Sequence, residues 1–502
     1  MNMRSSLIAL CLSTCLTLGS SESIAASLED TIIDLQRQID AMKAQQQAQQ
    51  REVDDLRAQL QVQRRQVDEV PQVAQVYDDA PMSLTAGPKV TFGGQYRVNA
   101  YTADNGFDNP APNEDDNQTA SRFRLRQNVD VDFGEQLKTH IQFELHHTTD
   151  NVTTTDQRRG GESTEVSVRH AVMDYTFRPD NVFKDTHVQV GLVPLQDYFS
   201  QTQFSSDWDY NPLAASFIVP AGGNRLRLFA GNLEEGSESN VNDDFVHYQA
   251  DLDVPLGSDA GIYLTGTALN IADADGNGDS WHYNYGISGF MLLGDNLRAN
   301  GFVMGSSSDG SLLGGNDDAD GVAVLAQLTG SLSSGRFGLL ASYASGEDDG
   351  TGFLMPMAFA QSYGYWGYTG ILTVQGPTDT GFDGDAVNMS NNGYGMSSIQ
   401  ARYDFPVTEA LTAYISAGWY GNTDAANRAS NVGTDFLAMG TYRFNRYFVL
   451  DAGMAYARLK DSVSGYFQGV QSTTGNSGAG FNQARGEERD KYALFTRIQA
   501  EF

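Results

Sequence analysis

The stretch Ser-Arg-Phe-Arg-Leu-Arg-Gln-Asn-Val-Asp-Val-Asp-Phe at residues 121–133 alternates in character. Phe123, Leu125, Val129, Val131 and Phe133 share one face, while Arg122, Arg124, Arg126, Asn128, Asp130 and Asp132 share the other. Successive side chains of a strand point to opposite sides of its sheet. A strand with one apolar and one charged face therefore needs lipid or core on one side and water on the other. Leu137, Ile141, Phe143 and Leu145 repeat the pattern against Lys138, His140, Gln142, Glu144 and His146. So do Val246, Tyr248, Ala250 and Leu252 against His247, Gln249, Asp251 and Asp253.

Turn signals from residue 89 onward sort into two classes. Short ones lie at 134–135, 220–224, 257–260, 294–296, 333–335, 406–409 and 445–446. Long, acidic, Gly-rich ones lie at 103–120, 148–163, 195–213, 234–242, 272–279, 307–319, 347–392, 421–432 and 461–488. Short turns on one rim and long loops on the other are the plan of an all-β transmembrane antiparallel β-barrel. The spacing predicts about eighteen strands, with sixteen as the alternative. The stretch 213–219 and the interior of 347–392 carry the least strand pattern.

The bulk numbers agree with this but do not choose it. After the first 25 residues, no run of about 18 apolar residues is present, so no transmembrane helix is available. A net charge of -31 argues against nucleic-acid binding, which requires a basic face. Both cysteines, Cys11 and Cys15, fall inside a segment with export character. Arg4 supplies its positive start, residues 7–18 its apolar core, and Ser23-Ile24-Ala25 its small-residue cleavage site. Residues 1–25 are thus expected to be a signal peptide. The chain that remains needs no disulfide, thiolate metal site or catalytic cysteine. Leu10 and Thr14, before the two cysteines, disfavour a lipoprotein.

Residues 26–70 then show a heptad repeat. Leu28, Leu35, Met42, Gln49, Leu56, Gln63 and Val70 occupy one seam position. Ile32, Ile39, Gln46, Val53, Leu60 and Val67 occupy the other. The four-three spacing holds for about six heptads, which predicts a coiled-coil α-helix. Its alternative is a single amphipathic helix lying on the barrel or on the cell wall. Pro71 ends the helix, since it lacks an N–H and clashes with the preceding turn. Residues 71–88, with Pro71, Pro81, Gly87 and Pro88, read as a linker, leaving 89–502 for the barrel.

Tyr492, Leu494, Ile498 and Phe502 alternate up to the last residue. This resembles the terminal signature of bacterial outer-membrane barrels, a strand edge with a final aromatic. A heptad segment followed by a barrel resembles the trimeric porins that carry a periplasmic coiled coil, including the dicarboxylate-type and phosphate-type families. The resemblance implies an outer-membrane porin, a water-filled channel for small hydrophilic solutes. It also implies a homotrimer in contact with outer-membrane lipid and lipopolysaccharide, with peptidoglycan contact through the coil. Two other classes fit a barrel: a structural tether to the cell wall, and an outer-membrane hydrolase with a Ser–His–acid set at one rim.

With the apolar face toward lipid, alternation puts Arg97, Arg122, Arg124, Arg126, Arg169, Arg225, Arg227, Arg298, Arg336, Arg402, Arg443 and Arg497 inside, with Lys89, Lys138 and Lys491. Closure makes the first, second and last strands neighbours, so Arg97, the Arg122–Arg126 ladder and Arg497 should form one basic wall. Guanidinium groups pair carboxylates and phosphates at two points and keep their charge. The wall therefore predicts a preference for small anions. The competing expectation is a solvated network with lumen acids such as Asp130, Asp132, Glu144, Asp251 and Glu501. By resemblance to porins, the third long loop, with Asp197, Tyr198, Phe199, Trp208, Asp209 and Tyr210, folds inward as a constriction. Its aromatics are expected to stack on a sugar ring or to pack the loop on the wall. Segment 347–392, with Tyr363, Tyr365, Trp366 and Tyr368, is expected to plug or lid the pore, or to form an extracellular flap.

No cofactor is expected. Asp273, Asp275, Asn277 and Asp279 match the start of a calcium loop, but Asn284 stands where its closing Glu belongs. A plain acidic hairpin loop is the competing expectation. His146 and His147, with His140, read as lumen lining or loop rather than as a metal site.

Overall fold

The computed structural model describes residues 87–104, 117–149, 165–178, 183–206, 210–234, 244–271, 280–309, 318–347, 352–355, 366–372, 395–423, 431–459 and 490–502. The expected signal peptide, the coiled coil and all but the last two linker residues lie outside them.

The strands are β1 (Lys89–Asp104), β2 (Asn117–Asp132), β3 (Leu137–Thr149), β4 (Glu165–Thr176), β5 (His187–Leu192) and β6 (Leu213–Ala221). There follow β7 (Asn224–Glu234), β8 (Phe245–Pro255), β9 (Ala260–Ile271), β10 (Ser280–Leu292), β11 (Leu297–Ser308) and β12 (Ala319–Leu332). The last six are β13 (Gly335–Ala344), β14 (Met396–Pro406), β15 (Leu411–Gly421), β16 (Asn431–Arg443), β17 (Phe448–Leu459) and β18 (Asp490–Glu501). Each pairs antiparallel with its neighbours in sequence, and β1 also pairs with β18, so one 18-stranded sheet closes on itself. Beyond the last register pair, the backbones of Phe502 and Gly94 exchange hydrogen bonds of 2.8 and 3.1 Å.

Connections after even-numbered strands are of two to four residues, apart from the ten of β4–β5, and those after odd-numbered strands are of eight or more. The tightest are Gly222-Gly223 and Ser333-Ser334, and the former has both residues at positive φ (62° and 94°), the favoured backbone of a two-residue hairpin. The connection 177–186 between β4 and β5 belongs to the short-turn rim, although it has no Gly signal and was not among the expected turns. Stretch 213–219 lies within strand β6. Among the described residues, 345–372 contains no strand. With six residues, β5 is too short to cross a bilayer alone, where about 9–11 are needed. Pairing continues past it through Val193 N–H to Pro212 O (3.0 Å) and Leu195 N–H to Tyr210 O (3.4 Å).

The two faces differ as the alternation requires. Val90, Phe92, Val190, Leu228, Ile287, Val303, Leu339, Ile415 and Met454 lie open on the outside. Aromatics gather on that face at both rims. Tyr175, Phe177, Phe183, Tyr442, Phe444 and Phe448 form contacting rings beside the short turns. Tyr248, Trp281, Tyr283, Tyr343, Trp419, Tyr456 and Tyr492 stand beside the long loops. The inner face carries Arg97, Asn99, Arg124, Glu144, Gln249, Asp251, His282, Ser342, Gln400 and Asp451, all buried.

One glycine tests the closeness of this wall. Gly191, at φ 126°, would place a Cβ 1.9 Å from the Ala171 carbonyl oxygen. Gly191→Ala should lower stability by roughly 1–3 kcal/mol, read as a lower urea midpoint in lipid vesicles. Gly266→Ala, whose Cβ meets nothing within 4 Å, should leave the midpoint in place.

Candidate functional site

The inner wall is built from register. Arg97 lies opposite Arg124 on β2 and Gln499 on β18, and Asn99 lies opposite Arg122 and Arg497. Three adjacent strands thus bring Arg97, Arg122, Arg124, Arg126 and Arg497 together. Arg169 on β4 joins through Glu144, which bonds Arg126 at 2.5 Å and meets Arg169 Nε at 3.3 Å. Arg97 donates to Gln499 (2.9 Å), Arg124 to Gln95 (2.9 Å), and Arg497 pairs with Asp451 (2.7 Å). Arg122 Nε is buried without a hydrogen-bond partner.

A second group sits nearer the short-turn rim. Arg225 pairs with Asp253 (2.8 Å) and Arg227 with Asp251 (2.6 Å). Arg298 lies over the Phe290 ring at 4.5 Å, and Arg402 over Tyr368 at 4.7 Å with Asp404 at 3.9 Å. Arg336 opposes Asp404 in register, and Arg443, at the end of β16, is exposed. All twelve predicted arginines face inward. Their pairing with Glu144 and Asp251 matches the competing expectation, while Asp253 and Asp451 are partners that the sequence reading had not named. Asp130 bonds His140 instead of an arginine.

Segments 193–206 and 210–212 turn into the barrel. Asp197 is the knot of the former, accepting backbone N–H groups from Phe199, Gln201, Gln203 and Phe204 at 2.5–3.1 Å. Burial pushes this carboxyl up to about 6, against the lowering effect of the four amides. Tyr198 stacks on Tyr263 of β9 (4.4 Å, 6°) beneath Arg227, and burial raises its hydroxyl pKa against the pull of that guanidinium. Ser288 of β10 donates to Tyr198 O (2.6 Å), and Arg169 donates to Ser206 O (2.6 Å). Tyr210 stacks on Phe204 and reaches His247 of β8 at 2.7 Å. Asp197 and Tyr210 are both buried and hold the loop against the wall, the packing alternative rather than sugar stacking for Tyr210. Tyr198 packs the loop on the wall. Trp208 and Asp209 lie outside the described residues.

Segments 352–355 and 366–372 also lie inside, so the extracellular flap is excluded for them. Leu354 bonds Asn284 of β10 (2.9 Å) and Ser306 of β11 (3.2 Å) through its backbone. Trp366 packs edge-on against Phe302 of β11, which meets Phe199 in the same way. Tyr368 is held most closely. Its N–H donates to Gln400 (2.7 Å), its carbonyl accepts from Tyr414 and Ser416 (2.7 Å each), and its hydroxyl accepts from Gln327. Fully buried Asp435 of β16 accepts the amides of Ile371 (2.8 Å) and Leu372 (2.6 Å). These anchors fasten the two segments to β10–β12 and β14–β16, and the apolar core they join reaches β17, β18 and β1 through Ala455, Ala457, Phe495 and Tyr101. Across β2 and β3, in contrast, the inner residues Arg122, Arg126, Asn128, Asp130, Lys138 and His140 keep part of their surface open.

The acidic loop with Asp273, Asp275, Asn277 and Asp279 lies outside the described residues, as do the side chains of His146, His147 and Lys491. Asn284, the misfit of that loop, points inward and bonds Leu354. The aromatic rims, the Asp435 anchor and His170 went unread in the sequence. The rims alone had a signal, aromatics at the outward positions of strand ends.

Removing the anchor is informative. A buried hydrogen bond to a charged group contributes about 1.5–3 kcal/mol. Asp435→Ala should release segment 366–372, giving larger single-channel conductance and faster protease cleavage near that segment in folded protein.

No protein-family model matches the chain, and no curated protein matches it. Solved structures do. OccK5 (OpdH) of Pseudomonas aeruginosa shares 12% identity at a TM-score of 0.48, covering 82% of this chain and 98% of that one. The outer membrane protein OprD of the same organism shares 9% at 0.47, covering 82% and 94%. An anion-selective porin from Comamonas acidovorans shares 12% at 0.43, covering 83% and 100%. The solved structures this chain is similar to are thus outer-membrane porins.

Proposed function

We propose that this chain forms a water-filled outer-membrane channel for passive diffusion of small hydrophilic solutes, one that favours anions and assembles as a homotrimer. The observation that carries the reading is the inner arc from β18 through β1 to β4. Arg97, Arg122, Arg124, Arg126, Arg169 and Arg497 gather there, with Glu144 and Glu501 among the described acids at the same height and Asp451 beside them on β17. Arg122, Arg126 and Arg497 keep part of their surface open on this arc, while Arg97, Arg124 and Arg169 are buried. Charged walls of this kind set the sign of ion selectivity.

The outer face supports a lipid setting. An apolar band between two aromatic girdles matches the two interfaces of a bilayer. Closure of the sheet leaves no strand edge to hydrogen-bond in hydrocarbon. The net charge of -31 does not oppose an anion path, because the acids concentrate in the long loops, as at Asp115, Asp116, Asp317, Asp318, Asp348 and Asp349.

The test is conductance in a planar bilayer under a KCl gradient. The expected record has steps in groups of three and an anion-signed reversal potential. Arg122→Gln/Arg124→Gln should reduce the anion-to-cation permeability ratio severalfold. A cation-signed potential in the unaltered protein would sink the basic-wall reading, and no steps from folded protein would sink the channel itself.

A further inference from the structure

We infer that the inner wall carries a binding site for a divalent transition metal, made by His140 on β3 and His170 on β4. Neither residue belongs to the arginine pairs described above, and the site does not depend on the channel reading. The two histidines sit diagonally across the strand pair, His140 opposite Val172 and His170 opposite Gln142. His140 Nε2 and His170 Nδ1 face each other at 3.4 Å, with ring centroids 5.5 Å apart.

That separation is long for a hydrogen bond between nitrogens. It suits a shared metal. Two imidazole nitrogens at 2.0–2.1 Å from one ion, 3.4 Å apart, subtend about 110° at it, the tetrahedral angle.

The surroundings supply what a ligating histidine needs. Asp130 Oδ1 lies 2.7 Å from His140 Nδ1. A carboxylate at one ring nitrogen holds the proton there, fixes the ring and leaves the other nitrogen with its lone pair. His170 is buried, and a β-bulge orients it. The register shifts between Gln142 and Phe143, so Arg169 and His170 both turn inward although they are consecutive. The nearest guanidinium groups, Arg126 and Arg169, are engaged by Glu144, which weakens their repulsion of a cation.

Imidazole selects zinc, nickel, copper or cobalt over magnesium and calcium. Among the described residues, no cluster of three or more metal-ligating side chains occurs, so the grip is two-pointed. Its remaining positions fall to water or to donor atoms of a solute in the lumen.

The experiment is isothermal titration of the folded full-length protein with zinc chloride, in millimolar calcium to occupy the acidic loops. One saturable site per chain is expected. His140→Gln and His170→Gln should each weaken it by about tenfold or more, and Asp130→Asn by about tenfold. His146→Gln/His147→Gln should not change it. An unchanged site in His140→Gln/His170→Gln, or no saturable uptake, would overturn the proposal. X-ray absorption on zinc-loaded unaltered protein gives a reading independent of how the variants fold. Two imidazole nitrogens in the first shell are expected, and an all-oxygen shell would overturn the site.

Discussion

Closure of the sheet is the constraint from which the rest follows. A strand edge presents unpaired N–H and C=O groups, and in hydrocarbon nothing else can satisfy them. Here the edges of β1 and β18 satisfy each other from Gln95–Glu501 to Ala103–Ala493, and the Gly94–Phe502 exchange extends the seam by one step. Once the sheet is a cylinder, its two faces have different neighbours along their whole length. The period-two pattern of residues 121–133 is the local record of that circumstance.

A cylinder of eighteen strands is too wide for wall side chains alone to fill. Two chain segments enter it from the long-loop rim and dry one side. Their polar backbone groups do not meet water there, so the wall supplies partners: Asn284, Ser306, Gln400, Tyr414, Ser416 and Asp435 answer them one by one. This explains why Asn284, Ser306, Gln400, Ser416 and Asp435 on the inner face of β10 through β16 are buried, whereas Arg122, Arg126, Asp130 and Lys138 on that of β2 and β3 stay partly open. The same alternation of side chains thus serves two different inner surfaces.

Alternation made the wall legible. Wherever pairing runs without interruption, as across β18, β1 and β2, parity alone puts Arg97, Arg124 and Arg497 on the inner face. It fails at the bulge in β4, where one extra residue reverses parity and brings His170 inward beside Arg169. Turn chemistry marked most hairpins, but in the connection 177–186 the signal is Pro179-Asp180-Asn181 without a glycine, and it went unread. The anchors were the least legible part. Asp435 binds amides 63 and 64 positions away, and nothing in either stretch announces the other. A lone inward Asp reads the same whether it meets water, an arginine or a backbone amide.

The lopsided filling of the cylinder has a consequence for how this sequence can diverge. On the braced arc, side chains such as Asn284, Gln400, Ser416 and Asp435 each fit a particular atom of an inserted segment, so a replacement on one requires a matching change on the other. On the open arc, side chains answer mainly to water and to a counter-ion, and single exchanges are absorbed locally. Relatives should therefore drift fastest in inner charge along β2 and β3, while the β10–β16 interior and its two inserted segments change together or not at all. Novelty and integrity are carried by opposite walls of one tube.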